Sequence, residues 1–222
     1  MNRREPTVEE KQLREMQINS RYALLKAIEA PKRETTAVCI PTGDGRIEMV
    51  CAQGLMDSIP LWSGLISLPH CSHVDLARNL LINNFMASPF DWCVMIDSDI
   101  GFRGDDFRYL TETNDYAVRA PYSKKDDSGD AIDVGLGFAL VHRTVFDVLR
   151  ATLCLQADHH SIQFTQYFLS GTLGTQGGTW MGEDACFWLL CQEIGVKPRI
   201  ETRTRLEHIG KISNRIEQFR SF

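Results

Sequence analysis

Short runs of apolar residues alternate along the chain with segments in which apolar residues repeat at helical spacing. The runs that predict strands cover residues 36–40, 64–68, 92–96, 115–120, 134–141 and 197–202. The segments that predict helices cover residues 45–58, 74–87, 105–112, 144–152 and 183–194. Strands that alternate with helices predict an α/β fold with a largely parallel sheet. The continuous apolar run 92–96 is typical of a central strand covered on both faces.

Residues 1–34 have a different pattern. Thr7 and Glu10 have the spacing of a helix-capping box, and Pro31 predicts where the helix ends. The apolar residues recur near helical spacing among many charges: Leu13, Met16, Leu24, Leu25 and Ile28. We therefore predict a helical arm over residues 1–34 and one domain over residues 35–222. The mixture of acids and bases favours an arm that packs on the body or on a partner subunit, as in a homodimer, over a membrane-surface helix.

Residues 155–181 interrupt the alternation, because they are polar and rich in glycine. The pattern predicts a long connection without helices or strands of its own. Connections of this length are typical of lids, binding loops or disordered segments.

Composition sets the class of protein. The chain has 222 residues, of which 43% are hydrophobic and 24% charged, so we expect one globular domain plus the arm. The net charge of −5 argues against a protein that binds bare nucleic acid by bulk charge. It does not exclude a local basic groove.

The seven cysteines predict the redox compartment. Their number is odd and no Cys-x-x-Cys pair occurs, so we expect reduced thiols with neither a disulfide framework nor a zinc site. The sequence has no signal-peptide pattern and no apolar run of membrane-spanning length. We therefore expect a soluble, cytoplasmic protein without a membrane span.

Two carboxylates follow the most apolar strand. Ligands of open parallel sheets bind at the carboxyl ends of the strands, and Asp97 and Asp99 come directly after the run 92–96. A divalent cation with oxygen ligands would offset the cost of desolvating both charges. A turn or capping role for this Asp-Ser-Asp triplet remains open.

Two further elements carry candidate chemistry. Glu183 and Asp184 open the predicted helix 183–194, where the helix dipole stabilises acids and where one of them could act as a general base. His208 follows the last predicted strand. An imidazole that joins carboxylates favours manganese-type sites, although a single histidine is more often a surface residue.

The motifs along the chain follow one another in a characteristic order: Pro41-Thr-Gly43, Val74-Asp-Leu-Ala-Arg-Asn79, Met95-Ile-Asp-Ser-Asp-Ile-Gly-Phe102, Gly135-Leu-Gly-Phe-Ala-Leu-Val-His-Arg143, Gly182-Glu-Asp-Ala-Cys-Phe187 and Glu207-His-Ile-Gly210. This set resembles the glycosyltransferases of the GT-A fold, close to their family 2-like and mannosyltransferase-like branches. The resemblance covers about residues 36–210. It implies a Rossmann-like nucleotide-diphospho-sugar transferase domain.

The resemblance also implies roles for single residues. A nucleotide-sugar donor, linked to UDP or GDP, would lie against Pro41, Thr42, Gly43, Arg78, Asn79, Asp97 and Gly137. Asp99 would bind a Mn²⁺ or Mg²⁺ ion, with Asp97 at the ribose or at the water shell of the ion and His208 completing the site. Asp184 would deprotonate the acceptor hydroxyl, and Glu183 would support it.

The predicted function is therefore metal-dependent sugar transfer, with inversion favoured and retention still open. The acceptor is a glycan, or a hydroxylated DNA base if the enzyme acts for a bacteriophage in the host cytoplasm. For DNA, a groove would be supplied by Lys124, Lys125, Arg203 and Arg205. A nucleotidyltransferase is a rival, although the turn after the first strand carries only Arg46 in place of a glycine-rich basic loop. An inactive binding module is the second rival, and the intact acidic set argues against it.

Overall fold

Five α-helices and a six-stranded sheet form most of the described chain. The computed structural model describes residues 35–112, 114–123, 131–132, 135–159, 162–172 and 180–209, so the predicted arm of residues 1–34 lies outside it. The strands are β1 Thr36–Thr42, β2 Gly64–Pro69, β3 Trp92–Ile96, β4 Ile100–Gly101, β5 Ala117–Arg119, β6 Tyr122–Ser123, β7 Ala131–Ile132, β8 Phe138–His142, β9 Leu155–His159, β10 Ile162–Gln166, β11 Gly171–Thr172, β12 Trp180–Met181, β13 Arg199–Ile200 and β14 Glu207–His208. The helices are α1 Met49–Ser58, α2 Val74–Ala87, α3 Gly104–Thr111, α4 Arg143–Thr152 and α5 Glu183–Glu193, with a 3₁₀ turn at Ile59–Leu61 after α1.

The central sheet is mostly parallel. Its strand order is β13-β5-β8-β3-β1-β2. β1 runs parallel to β2 and β3, and β13 runs parallel to β5. β8 lies between β3 and β5 and is antiparallel to both. The predicted α/β fold with a mainly parallel sheet is confirmed, with β8 as its one reversed strand.

The sheet separates two apolar layers. Successive side chains of a strand point to opposite faces, so Val94 and Trp92 join one core while Cys93 and Met95 join the other. Helices α2, α4 and α5 cover one face, and α1 and α3 cover the other. All five residues of β3 are buried, as their continuous apolar run predicts.

The prediction for residues 155–181 is wrong in part. β9 and β10 form an antiparallel hairpin there, and β11 pairs with β12. Ile162 and Phe164 alternate with polar neighbours at the period of a half-buried strand, and Phe164 is buried. The strands were not predicted, because this alternation is short and the segment as a whole is polar and rich in glycine.

All seven cysteines lie among the described residues, and each carries a free thiol. Five of them are buried. Burial raises the pKa of Cys51 and of Cys154 to about 12, which keeps both thiols protonated and unreactive at neutral pH. Within the ranges given above, no helix combines the length and apolar character that a bilayer span requires.

Arg143 closes the carboxyl end of α2. A helix leaves its last carbonyls without intrahelical partners, and here the Arg143 guanidinium donates to two of them and to two carbonyls just after the helix, at 2.5 to 3.1 Å. The acceptors are the carbonyl oxygens of Phe85, Met86, Ser88 and Phe90. One side chain at the start of α4 therefore holds the connection from α2 to β3.

Replacing Arg143 should destabilise the fold strongly. Arg143→Met leaves these carbonyls without a charged donor, so we expect the free energy of unfolding to fall by about 2–4 kcal/mol. Urea denaturation measures the change. Arg150→Met is the matched control, because Arg150 forms an exposed pair with Asp147 and its loss should cost less than about 0.5 kcal/mol. Equal losses for both variants would contradict the assignment.

Candidate functional site

A cleft opens at the carboxyl ends of β1 and β3, beside the start of α2. It has a volume of about 220 Å³ and is lined by Pro41, Gly43, Cys71, Ser72, Val74, Ala77, Asp97, Ser98 and Asp99. The structure thus brings together four of the predicted donor and metal residues. Thr42 is not among the lining residues, because its buried hydroxyl donates to the carbonyl of Leu68 at 3.2 Å and ties β1 to β2.

The Asp97–Asp99 turn is held by main-chain hydrogen bonds. The amide of Ile100 donates to the carbonyl of Asp97 at 3.1 Å, and the amide of Asp97 donates to the carbonyl of Gly137 at 3.0 Å. The amide of Glu48 donates to the carbonyl of Ser98 at 2.8 Å, which joins the turn to the start of α1. The turn therefore presents its side chains from a fixed backbone.

A short ladder brings His208 to this turn. β14 pairs with β4, so that His208 lies opposite Ile100, and the amide of Ile209 donates to the carbonyl of Asp99 at 2.9 Å. The Nε2 atom of His208 lies 3.6 Å from Oδ1 of Asp99. Residues from the middle and the end of the described chain thus meet at one point.

The distance between these two atoms fits a shared cation. Two ligands that each lie about 2.1 Å from a Mg²⁺-sized ion are separated by about 3–4 Å, and such ions take one or two carboxylates together with substrate phosphates and water. Among the described residues, no group of three or more His, Cys, Asp and Glu side chains is placed to hold a metal. Asp99 and His208 therefore fit as two ligands of such an ion, which would need further ligands besides them.

Arg78 forms the other half of the site. Its side chain is only 3% exposed and lies on α2. Its Nη2 donates to both carboxylate oxygens of Asp97, at 2.8 and 3.1 Å. Its Nη1 pairs with Glu183 at 2.6 Å and also with Asp184. One buried cation thus faces three carboxylates, which leaves the cluster with an excess of negative charge.

This arrangement shifts two pKa values. Burial disfavours the charge on Arg78, but Asp97, Asp184 and Glu183 more than offset that cost and hold its pKa well above the ordinary value. Burial also raises the pKa of Asp184 to about 7. Arg78 opposes this rise, while Glu183 and Asp97 add to it. Asp184 therefore changes protonation near neutral pH.

Two backbone amides come from the segment before β8. The amide of Leu136 donates to Oδ2 of Asp184 at 3.2 Å, and the amide of Gly137 donates to Oη of Tyr122 at 3.2 Å. A Cβ atom at Gly137 would lie 2.8 Å from both Oδ2 of Asp97 and Oη of Tyr122, so only glycine fits this close approach. Gly137 was predicted to lie against a donor sugar, and the structure places it against Asp97.

Tyr122 connects the two halves of the site. Its ring meets the ring of His208 edge to face, with centroids 5.1 Å apart. Burial, with the charges of Asp97 and Asp184, raises the pKa of the Tyr122 hydroxyl, which stays protonated. The phenol therefore spans from the Asp99 and His208 pair to the carboxylates around Arg78.

Asn79 is turned away from the cleft. Its buried side chain accepts hydrogen bonds from the amides of Tyr167 and Phe168, at 2.7 and 2.9 Å, and donates to the carbonyl of Phe168 at 2.8 Å. Asn83, one turn later, makes two similar bonds with the backbone of Thr165. Asn79, predicted to face the nucleotide, is thus occupied in holding the segment after β10 against α2.

Sequence reasoning missed several contributors to the site, among them Cys71, Ser72 and the amide of Leu136. Cys71 and Ser72 line the cleft and lie within three residues of the end of β2, so the rule that ligands lie at strand ends could have found them. The amide of Leu136 left no such signal, because every residue type except proline carries a main-chain donor.

Removing the buried cation should make stability depend on pH. In Arg78→Met the three carboxylates repel one another without compensation, so we expect a loss of about 3–5 kcal/mol in the free energy of unfolding at pH 8. Protonation relieves the repulsion, and the deficit relative to the wild type should shrink towards pH 5. Urea titrations at both pH values test this. Arg108→Met, which removes only an exposed pair with Asp105, is the control and should show a small deficit at either pH. A deficit in Arg78→Met that grows at acid pH would contradict the electrostatic explanation.

The fold has a counterpart among solved structures. No protein-family model matches the sequence, and no curated protein matches it. The crystal structure of A197 from STIV is similar, with a TM-score of 0.51 and 16% sequence identity, over 79% of this chain and 85% of that chain. At this level of identity, the likeness shows a shared fold.

Proposed function

We propose that the protein is a metal-dependent glycosyltransferase with the GT-A form of the α/β fold, which moves a sugar from a nucleotide-sugar donor to an acceptor hydroxyl. The observation that carries the proposal is the meeting of Asp99 and His208 beside the cleft, with 3.6 Å between the carboxylate oxygen and the imidazole nitrogen. A carboxylate and an imidazole form a donor set that suits Mn²⁺ and also accepts Mg²⁺.

The cleft supplies a place for the nucleoside diphosphate. Pro41, Gly43 and the Asp97–Asp99 turn all line it, so a nucleotide along the end of β1 would direct its phosphates towards Asp99 and His208. When bound, the divalent ion supplies charge stabilisation for the departing diphosphate. Because the cleft is smaller than the roughly 300–1,000 Å³ of most ligand pockets, the donor sugar would extend beyond it, towards Gly137 and α5.

Asp184 is the proposed general base. Its carboxylate is held by Arg78 and by the amide of Leu136, and its side chain keeps 22% of its surface exposed. The acceptor hydroxyl gives its proton to Asp184 as its oxygen forms a bond to the anomeric carbon. The bond from that carbon to the diphosphate oxygen breaks, and the configuration inverts. Glu183 shares Arg78 and keeps the neighbouring charge fixed.

The charge distribution favours a glycan over DNA as the acceptor. The net charge is −5, and Arg203, one of the basic residues predicted for a DNA groove, is engaged by Glu201 at 2.8 Å and by Glu112 at 3.7 Å. Lys124 and Lys125 lie outside the described residues. A hydroxymethylated DNA duplex therefore serves as the comparison acceptor in activity assays.

Loss of either proposed metal ligand should abolish metal-dependent donor binding. Titration calorimetry with UDP and GDP, with and without Mn²⁺, should show affinity gained on adding Mn²⁺ in the wild type. Asp99→Ala and His208→Ala should remove that gain. Asp105→Ala, which removes an exposed carboxylate of α3, is the control and should keep it. If both site variants kept the full Mn²⁺ effect, the metal assignment would fail.

The proposed base has a separate signature. Because the carboxylate form of Asp184 is active, the transfer rate should fall as the pH drops below about 7. Asp184→Asn should bind the donor normally and lose roughly 10²–10⁴-fold in rate. The products are identified in the same assay by chromatography. Pyrophosphate in place of a nucleoside diphosphate would indicate a nucleotidyltransferase. Normal turnover by Asp184→Asn would exclude Asp184 as the general base.

A further inference from the structure

An apolar surface covers the outer side of α1 and the 3₁₀ turn that follows it. We call it the α1 surface, and it consists of Met49, Val50, Met56, Ile59 and Leu61. Met49 is 81% exposed, Met56 65% and Ile59 55%. Five of the nine large hydrophobic side chains that are exposed in the described structure thus fall within one short stretch of chain. Exposed apolar side chains clustered in this way mark a contact site more often than a solvated face.

The N-terminal segment joins the described chain at the edge of this surface. The first described residue is Thr35, and the carbonyl of the next residue, Thr36, accepts a hydrogen bond from the amide of Ser63 at 2.7 Å. Ser63 follows Leu61 by two residues. The chain therefore enters β1 next to the 3₁₀ turn, at the point where residues 1–34 are attached.

The lengths of the two apolar patterns match. The apolar positions of the predicted arm run from Leu13 to Ile28, which corresponds to about 24 Å at the rise of an α-helix. The stretch from Met49 to Leu61 corresponds to about 20 Å at the same rise. An arm that lies along α1 can therefore cover the exposed side chains with one apolar face while its many charges stay in water.

Covalent attachment favours this occupant over a second molecule. A segment tethered by a short linker meets its docking surface at an effective concentration in the millimolar range, above that of a free protein. We propose that residues 1–34 of the same chain bind the α1 surface through Leu13, Met16, Leu24, Leu25 and Ile28. The arm then braces α1, whose preceding residue Glu48 holds the carbonyl of Ser98 in the Asp97–Asp99 turn.

Site-specific photo-crosslinking in the full-length protein tests the proposal. Benzoylphenylalanine is placed at position 56, the protein is irradiated, and the monomer and dimer bands are separated before peptide mapping by mass spectrometry. We expect a cross-link within the monomer to a peptide from residues 1–34. The same probe at position 200 is the control, because Ile200 is exposed on β13, at the opposite edge of the sheet from β2, and should give no such cross-link.

A second variant tests whether the cross-link depends on the apolar side chains of the arm or only on its closeness in sequence. Leu24→Glu with Leu25→Glu leaves the tether intact, and circular dichroism confirms that the body stays folded. This variant should lose the cross-link from position 56. Cross-links that join two copies would overturn the proposal in favour of a dimer interface. Absence of any cross-link to residues 1–34, or a cross-link unaffected by the double substitution, would also overturn it.

Discussion

The site depends on a single buried guanidinium. Arg78 is almost fully removed from water, which is tolerable only because Asp97, Glu183 and Asp184 surround it. These contacts join α2 to the end of the next strand, β3, and to the start of α5, where Glu183 lies 105 residues after Arg78. The same contacts leave more negative than positive charge in the cluster. A site built in this way favours the arrival of a further cation.

The sheet explains why two kinds of chemistry lie side by side. The carboxyl ends of the parallel strands β1 and β3 form one edge, and the cleft lies there. The reversed strand β8 enters the sheet at the same edge, and the residues before it supply the amide for Asp184 and the glycine beside Asp97. In the proposed reaction, donor binding and proton transfer therefore fall to neighbouring groups that share Arg78 and Tyr122.

Much of the fold was predictable because local patterns determine its elements. The observed bounds of α2 and β3 agree with the predicted ranges, since α2 has a clear helical period and β3 a continuous apolar run. The hairpin of β9 and β10 was missed, because its alternation is short and lies within a polar, glycine-rich segment. The direction of β8 leaves no trace in its own apolar run, because a buried strand has the same pattern whichever way it runs.

For the site, the sequence determined the types of residue and their positions after strands or at a helix start. Asp97, Asp99, Asp184 and His208 were recognisable as candidates because they follow strands or open a helix, although acids and histidines also take structural roles at such places. Only the tertiary structure decided their partners. In the folded chain Arg78 pairs with three carboxylates, and Asn79 hydrogen-bonds to the segment after β10. The pairing of β14 with β4 places His208 beside Asp99. These outcomes depend on strand pairing and on burial, which arise from contacts between distant parts of the chain and cannot be read from any local pattern.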